Sequence, residues 1–291
     1  MKNIKLLLEY DIERPYGKIA ETEEGRQLRR RFLYFDRFLN QTLDKLVVPR
    51  TFFIIGHYLD RCLDDFSREQ LGAIYDSSNQ LIEIQQHTYS HSFLVKPIKG
   101  EDKPIVSAHE FAQDLEAANA AIGRILGVRP IGLSMPYGYE GDLSDVPEFL
   151  KILSMFNFRY VISDTRCENK KSNLERQPHS YKIAGFPEIV EIPSHGEDVL
   201  FCREKALRFL GREPDAKEKI LQHYQDLFGA ATRLAEKKSL LYISLCFHPW
   251  AMAEYDPELK IHKRIIAMAR KCEMQIMHFI EVADKIIAKG E

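Results

Sequence analysis

Two imidazoles stand four residues apart in His87-Thr88-Tyr89-Ser90-His91, directly behind the apolar run Leu81-Ile82-Glu83-Ile84. On a helical turn, residues i and i+4 share a face, so both rings could reach one metal ion. The run before them reads as a buried strand. That puts the pair at a strand's carboxyl end, where α/β folds place their active sites. With ten His in the chain this spacing alone is common, so three other segments must carry the argument with it.

Asp11-Ile12-Glu13 follows the first apolar run. Residues two apart in extended chain point the same way, so both carboxylates could face one pocket, one as a metal ligand and the other as a base. Leu133-Ser134-Met135-Pro136-Tyr137-Gly138-Tyr139 follows a fourth run. Its Pro and Gly fix a turn in which a backbone N–H could steady an oxyanion. Ser244-Leu245-Cys246-Phe247-His248-Pro249-Trp250 ends a seventh run, with His248 followed by the only Trp.

These groups need elements to position them. Candidate strands are Ile4-Leu8, Thr51-Ile55, Leu81-Ile84, Pro130-Leu133, Tyr160-Ile162, Ile189-Ile192 and Leu240-Cys246. Helical stripes run through Leu28, Phe32, Phe35, Leu39, Leu43 and Leu46, and through Phe111, Leu115, Ala118, Ile122 and Ile125. Ser107 and Glu110 make a capping box before the second stripe. Further helices are expected over 215–237, 257–272 and 279–289. Strands alternating with helices imply parallel pairing through crossovers, in a barrel or an open doubly wound sheet. The polar stretches 164–187 and 194–214 read as loops near the site.

The 291 residues suit one large α/β domain or two small ones, and 45% hydrophobic with 29% charged residues is an ordinary globular composition. A net charge of −2 argues against a nucleic-acid or polybasic membrane partner. There is no 18-residue apolar run and hence no membrane span. The N-terminus reads as a first strand and not a signal peptide. Five scattered Cys without a C-x-x-C point away from a disulfide framework and toward a cytoplasmic location.

Taken in chain order, the four segments resemble the polysaccharide deacetylase superfamily, also called carbohydrate esterase family 4. The resemblance spans nearly the whole chain, with Ser163-Asp164-Thr165-Arg166 at the place of the family's variable Asp-containing segment. It implies a single domain over 1–291 with a distorted (β/α)7-type barrel, and a hydrolase cleaving a C–N amide bond of deacetylase, deformylase or cyclic-imide type. It also implies a divalent metal, usually zinc. Carried over residue by residue, His87 and His91 are metal ligands and His248 is the general acid. Most members have adjacent Asp-Asp, whereas Asp-Ile-Glu looks more like an intracellular branch with an Asp-x-Asp pattern. By that match Asp11 is the base and Glu13 the third ligand, with the swapped assignment open. The backbone at Tyr137 serves the oxyanion. Ser134, Pro136, Trp250, His195 and Arg166 are expected to line the substrate site. The partner is then a saccharide or small-molecule substrate, and the oligomeric habit of intracellular members sets a prior for a homo-oligomer.

Ser134 stands where the carbohydrate esterases keep an Arg that pairs with the base, and Arg14 or Arg166 is a candidate to replace it. This departure weakens the case for a chitin or peptidoglycan substrate more than the case for metal. Two other readings compete with the hydrolase. One is a non-catalytic relative that binds a carbohydrate or small metabolite. The other is a non-haem iron site with two His and one carboxylate, which leaves the Pro-Tyr-Gly turn and His248 without a role.

Overall fold

The computed structural model describes residues 3–91, 94–98, 103–166, 174–198 and 214–290. The strands are β1 (Ile4–Ile12), β2 (Arg50–Ile54), β3 (Ile82–Gln86), β4 (Gly132–Tyr139), β5 (Tyr160–Asp164), β6 (His179–Tyr181), β7 (Phe186–Glu191), β8 (Gly196–Glu197), β9 (Leu241–Phe247) and β10 (Gln275–Met277). Between them run α1 (Glu23–Lys45), α2 (Gly56–Cys62), α3 (Arg68–Ile74), α4 (Ala108–Leu126), α5 (Pro147–Met155), α6 (Pro214–Leu234), α7 (Pro249–Tyr255), α8 (Lys260–Lys271) and α9 (Phe279–Lys289). The strands form one sheet in the order β6-β7-β5-β4-β3-β2-β1-β9-β8, with β10 beside β1. Every pairing is parallel except β6 with β7.

This is the expected α/β barrel-like architecture, but among the described residues its ladder is not closed. The segment after β7 crosses the open side. There Ser194 N donates to Asp164 O at 3.1 Å and His195 N to Ser244 O at 2.8 Å.

Strand alternation decides what faces the interior. On β1, Leu6, Leu8, Tyr10 and Ile12 pack outward against the helices in one core cluster. Leu7 points inward, and Glu9 and Asp11 share its side by the two-residue period. On β9, Leu241, Ile243, Leu245 and Phe247 join the outer cluster, which leaves Tyr242, Ser244 and Cys246 facing in. On β3, Ile82 and Ile84 face out, and Glu83 and Gln85 lead inward toward His87. The inner lanes are apolar at the amino ends, where Leu7, Phe53, Tyr242 and Phe279 pack together. They turn polar toward the carboxyl ends, and that gradient builds the site.

The helices rest on their apolar stripes. Leu33, Leu39 and Leu43 of α1 are fully buried, and truncating one such Leu to Ala costs roughly 2–5 kcal/mol. Thr22 caps α1 by accepting from Gly25 N at 3.1 Å. The Ser107–Glu110 capping box forms in both directions.

Some expectations need correction. His87–His91 is not a helical turn: Thr88 and His91 take left-handed backbone, with φ 63° and 55°. β1 runs through Ile12, so Asp11 lies in the strand and not behind it. The strand β4 likewise runs through Ser134–Tyr139, with a register shift and left-handed φ at Tyr137 and Gly138. Within 164–187, the stretch read as loop holds β6, a 3-10 turn at Lys182–Ala184 and the start of β7. Of that stretch residues 167–173, and of the loop read at 194–214 residues 199–213, lie outside the described residues.

Candidate metal centre and active site

Two groups of donor atoms, each within 4.8 Å of one another, meet at the carboxyl ends of the strands: Glu13 with His87 and His91, and Asp11 with Cys246 and His248. In the first group His91 Nε2 lies 2.8 Å from Glu13 Oε2, and His87 Nε2 lies 3.8 Å from the same oxygen. Asp11 Oδ2 stands 3.7 Å from His87 Nε2 and 3.9 Å from His248 Nε2.

The two rings converge without a helix because their loop is pinned. Asp114 on α4 accepts from Tyr89 N at 2.7 Å and Ser90 N at 3.2 Å, and Thr88 Oγ1 accepts from His91 N at 3.2 Å. Thr88 O in turn accepts from Gly56 N at 3.0 Å. A Cβ on Gly56 would stand 2.7 Å from the Tyr89 ring and 2.9 Å from the Ala118 backbone, so only glycine allows this approach.

His87 Nδ1–H donates to Ser134 O at 2.8 Å, which leaves Nε2 as its free lone pair toward the carboxylates. Burial pushes the His87 pKa down to about 4, so the ring is neutral near pH 7, the form a metal needs. His91 is walled by Tyr16 and Tyr137, with ring centroids at 4.5 and 4.8 Å. Glu13 is held from the far side by Trp250, whose Nε1–H donates to Oε1 at 2.7 Å. Burial would raise the Glu13 pKa, but the charge of His91 and the hydrogen bonds of His87 and His91 outweigh it and hold the carboxyl well below its ordinary range.

His248 sits at the N-cap of α7. Asp198, wholly buried, accepts from its Nδ1 at 2.8 Å, from its backbone N at 3.1 and 3.2 Å, and from Tyr255 OH at 3.0 Å. Nε2 is thereby aimed into the site, 3.9 Å from Glu13 Oε1 and 3.7 Å from Glu197 Oε1. Burial opposes the imidazolium, but the Asp198 hydrogen bond and the surrounding carboxylates prevail, and the His248 pKa stands well above its ordinary value. Asp11 is shifted the other way in role: burial, reinforced by Glu9 and Glu13, pushes its carboxyl well up. Among the described residues its Oδ1 is buried without a hydrogen-bond partner.

Glu9 lies one inward step before Asp11 and is 1% exposed, and among the described residues neither of its oxygens meets a donor at full hydrogen-bond geometry. Burial pushes its pKa up to about 7. Buried carboxylate oxygens of this kind beside converging imidazole nitrogens fit the donor chemistry of a cation site. The donor set of two His and one carboxylate suits a divalent metal with open positions for water and substrate.

The remaining expected residues divide. Tyr137 stands beside the site, its OH donating to His91 O at 2.8 Å and its ring facing the Lys103 ammonium at 3.7 Å. Pro136 is buried within β4. Ser134 contributes its carbonyl to His87, and Trp250 contributes its indole N–H to Glu13. His195 is withdrawn from substrate. Its Nδ1 accepts from Ser244 N at 3.1 Å and its Nε2–H donates to Arg176 O at 2.8 Å, so both ring nitrogens serve the backbone. Neither candidate for the missing Arg reaches Asp11. Arg14 stacks over Trp250 at 4.2 Å and comes within 3.9 Å of Glu13, while Arg166 donates to Tyr137 O at 2.9 Å. Sequence reasoning missed Glu9, Asp114, Glu197 and Asp198. Only Glu9 carried a signal, the same inward parity as Asp11 and Glu13.

The Polysaccharide deacetylase family model matches residues 35–160, which include His87–His91 and Ser134–Gly138 but neither the acids of β1 nor His248. No curated protein matches by sequence. Among solved structures, the "putative polysaccharide deacetylase" from Mycobacterium smegmatis superposes with a TM-score of 0.65 at 17% identity, over 99% of this chain and 91% of that one. Puue allantoinase gives 0.65 at 13% identity, over 97% and 90%. A GH57-type branching enzyme from Pyrococcus horikoshii gives 0.62 at 13% identity, over 98% and 70%. At these identities the structures establish the shared fold. The family match covers less than half of the chain, over the segment that holds the two imidazoles and the Pro-Tyr-Gly turn. Among the described residues no helix is long and apolar enough to cross a membrane.

Proposed function

We propose that this chain is a metal-dependent hydrolase that cleaves a C–N amide bond in a saccharide or small molecule. The observation that carries the reading is the convergence of Glu13, His87 and His91 beside a second carboxylate, Asp11, and an Asp198-oriented His248. Glu13, His87 and His91 would hold the metal, zinc being the ion this donor set suits best. When bound, such an ion lowers the pKa of its water and polarises the amide oxygen.

The chain's own groups do the rest. Asp11 takes the proton of the attacking water. The backbone N–H at Tyr137, on its left-handed turn, donates to the oxygen that becomes negative. His248, charged because of Asp198, gives its Nε2 proton to the departing nitrogen as the C–N bond breaks. Water thus adds across the amide, and no covalent intermediate with the protein is formed. Ser134 in place of an Arg leaves Asp11 beside the buried Glu9 instead of a fixed cation, which favours a modest amide over a wall polymer.

Zinc-loaded protein should release amine from at least one class among N-acetyl sugars, formamides and cyclic imides. Asp11→Asn and His248→Ala should each lower that rate by roughly 10²–10⁴-fold. Tight metal binding with no turnover of any of these would sink the hydrolase and leave a metabolite-binding protein.

A further inference from the structure

Cys246 has no part in the chemistry above, yet it is placed by the same alternation that delivers His248. It faces inward on β9 in register with Glu9 of β1. The thiol is free and buried, and its Sγ approaches Asp11 Oδ2 to 3.5 Å. His248 Nε2 is 3.9 Å from the same oxygen, and the three donor atoms fall within 4.8 Å of one another. Ligand bonds of about 2.3 Å to sulfur and about 2.0–2.2 Å to nitrogen and oxygen, at tetrahedral angles, put neighbouring donors about 3.3–3.6 Å apart. The two pairs that share Asp11 Oδ2 are within a few tenths of an ångström of that spacing, and the Cys246–His248 pair, within 4.8 Å, closes by about an ångström or less on an ion.

Two independent features point to a cation there. Among the described residues, Asp11 Oδ1 and both oxygens of Glu9 are buried without a hydrogen-bond partner. Glu197 stands 3.7 Å from His248 Nε2, so a fourth oxygen is at hand. One ion on Glu13, His87 and His91 leaves this second group unserved.

We infer that Asp11, Cys246 and His248 form a second, weaker site for a thiophilic divalent cation such as zinc or cobalt, and that its occupation switches the enzyme off. The first part stands on geometry alone. The second rests on the hydrolase reading, since a filled second site takes Asp11 and His248 out of proton transfer. On binding, the Cys246 thiol proton and the His248 Nε2 proton both leave to solvent. The thiolate gives the site its preference for soft ions over magnesium or calcium.

The test titrates metal-free protein with cobalt(II) and then zinc(II), following bound ion by dialysis, thiolate-to-cobalt charge-transfer absorption, and amide turnover. The expected wild-type result is two ions per chain, with the charge-transfer band growing only on the second equivalent. Zinc should restore turnover at one equivalent and suppress it roughly a hundredfold or more at saturation, the size of a lost acid–base contribution. Cys246→Ser keeps a donor to Asp11. It should bind one ion, show no band, and keep its turnover in excess zinc. Circular dichroism of Cys246→Ser and Cys246→Ala confirms folding. Saturation at one ion that His87→Ala removes, with no thiolate band, overturns the inference and leaves the hydrolase reading intact. A band on the first equivalent that survives His87→Ala would do the reverse.

Discussion

Replacing Asp198 by Asn removes one charge from a site where that charge keeps His248 protonated. In the native protein the carboxylate accepts from His248 Nδ1 at 2.8 Å and from its backbone N at 3.1 and 3.2 Å, in a wholly buried position. Asn retains the shape and one acceptor, but its amide group must face another donor. A hydrogen bond between ionised partners is worth about 1.5–3 kcal/mol, so kcat/KM for amides should fall roughly 10–150-fold. The sign of the pH effect follows from the shift. His248 is raised, so its acid form, and with it the rate, persists above the ordinary imidazole range and is lost as pH rises through the folded value. Losing Asp198 should move that alkaline limb to lower pH and leave the acid limb, set by Asp11, in place. The assay is kcat/KM against pH for one amide and for one ester whose leaving group needs no proton. The ester should be nearly spared. If the alkaline limb stays where it was, or ester and amide fall together, His248 is not the acid that Asp198 charges.

Three further outcomes follow from the geometry. Asp114→Ala frees Tyr89 N and Ser90 N and loosens the loop that presents both imidazoles, so metal affinity should drop roughly 10–100-fold in equilibrium dialysis. Trp250→Phe keeps an apolar ring but loses the 2.7 Å bond to Glu13 Oε1, and should weaken metal binding by about tenfold in the same measurement. Asp36, buried far from this chemistry with Oδ1 unpartnered, has its pKa pushed from 3.8 to about 7 by burial. A raised carboxyl stabilises the fold fully below its unfolded pKa, and that contribution is lost as pH rises through about 7. Asp36→Asn should therefore gain stability relative to wild type between pH 4 and pH 8, by on the order of 4 kcal/mol in urea melts.

The positions that alternation and apolar runs control were legible in the sequence. All seven expected strands exist, and α1, α4, α6, α8 and α9 fall where their stripes lie, because each buries a continuous apolar face. The short helices α2, α3, α5 and α7 were not read, since one or two turns carry too little period to register. The strands β6, β8 and β10 are two or three residues long and owe their state to neighbours. At the site, the groups separated by fixed spacing on one strand or loop were found: Asp11 with Glu13, and His87 with His91. What was missed acts across the fold. Asp114 reaches the His loop from α4, and Asp198 reaches His248 across 50 residues. No local pattern encodes either contact. The same holds for His195, whose environment is decided by Arg176 and Ser244 and not by its flanking sequence.

In the proposed site Glu13, His87 and His91 hold a divalent metal while Asp11 is left free to act as base. The most direct measurement is the tightly bound metal content of wild type, His87→Ala, His91→Ala, Glu13→Ala and Asp11→Asn, each purified without added metal and again after zinc loading and dialysis. About one tight ion per chain is expected in wild type and in Asp11→Asn, and none in the other three. No tight ion in wild type after loading would contradict it. So would an ion that Glu13→Ala retains and Asp11→Asn loses.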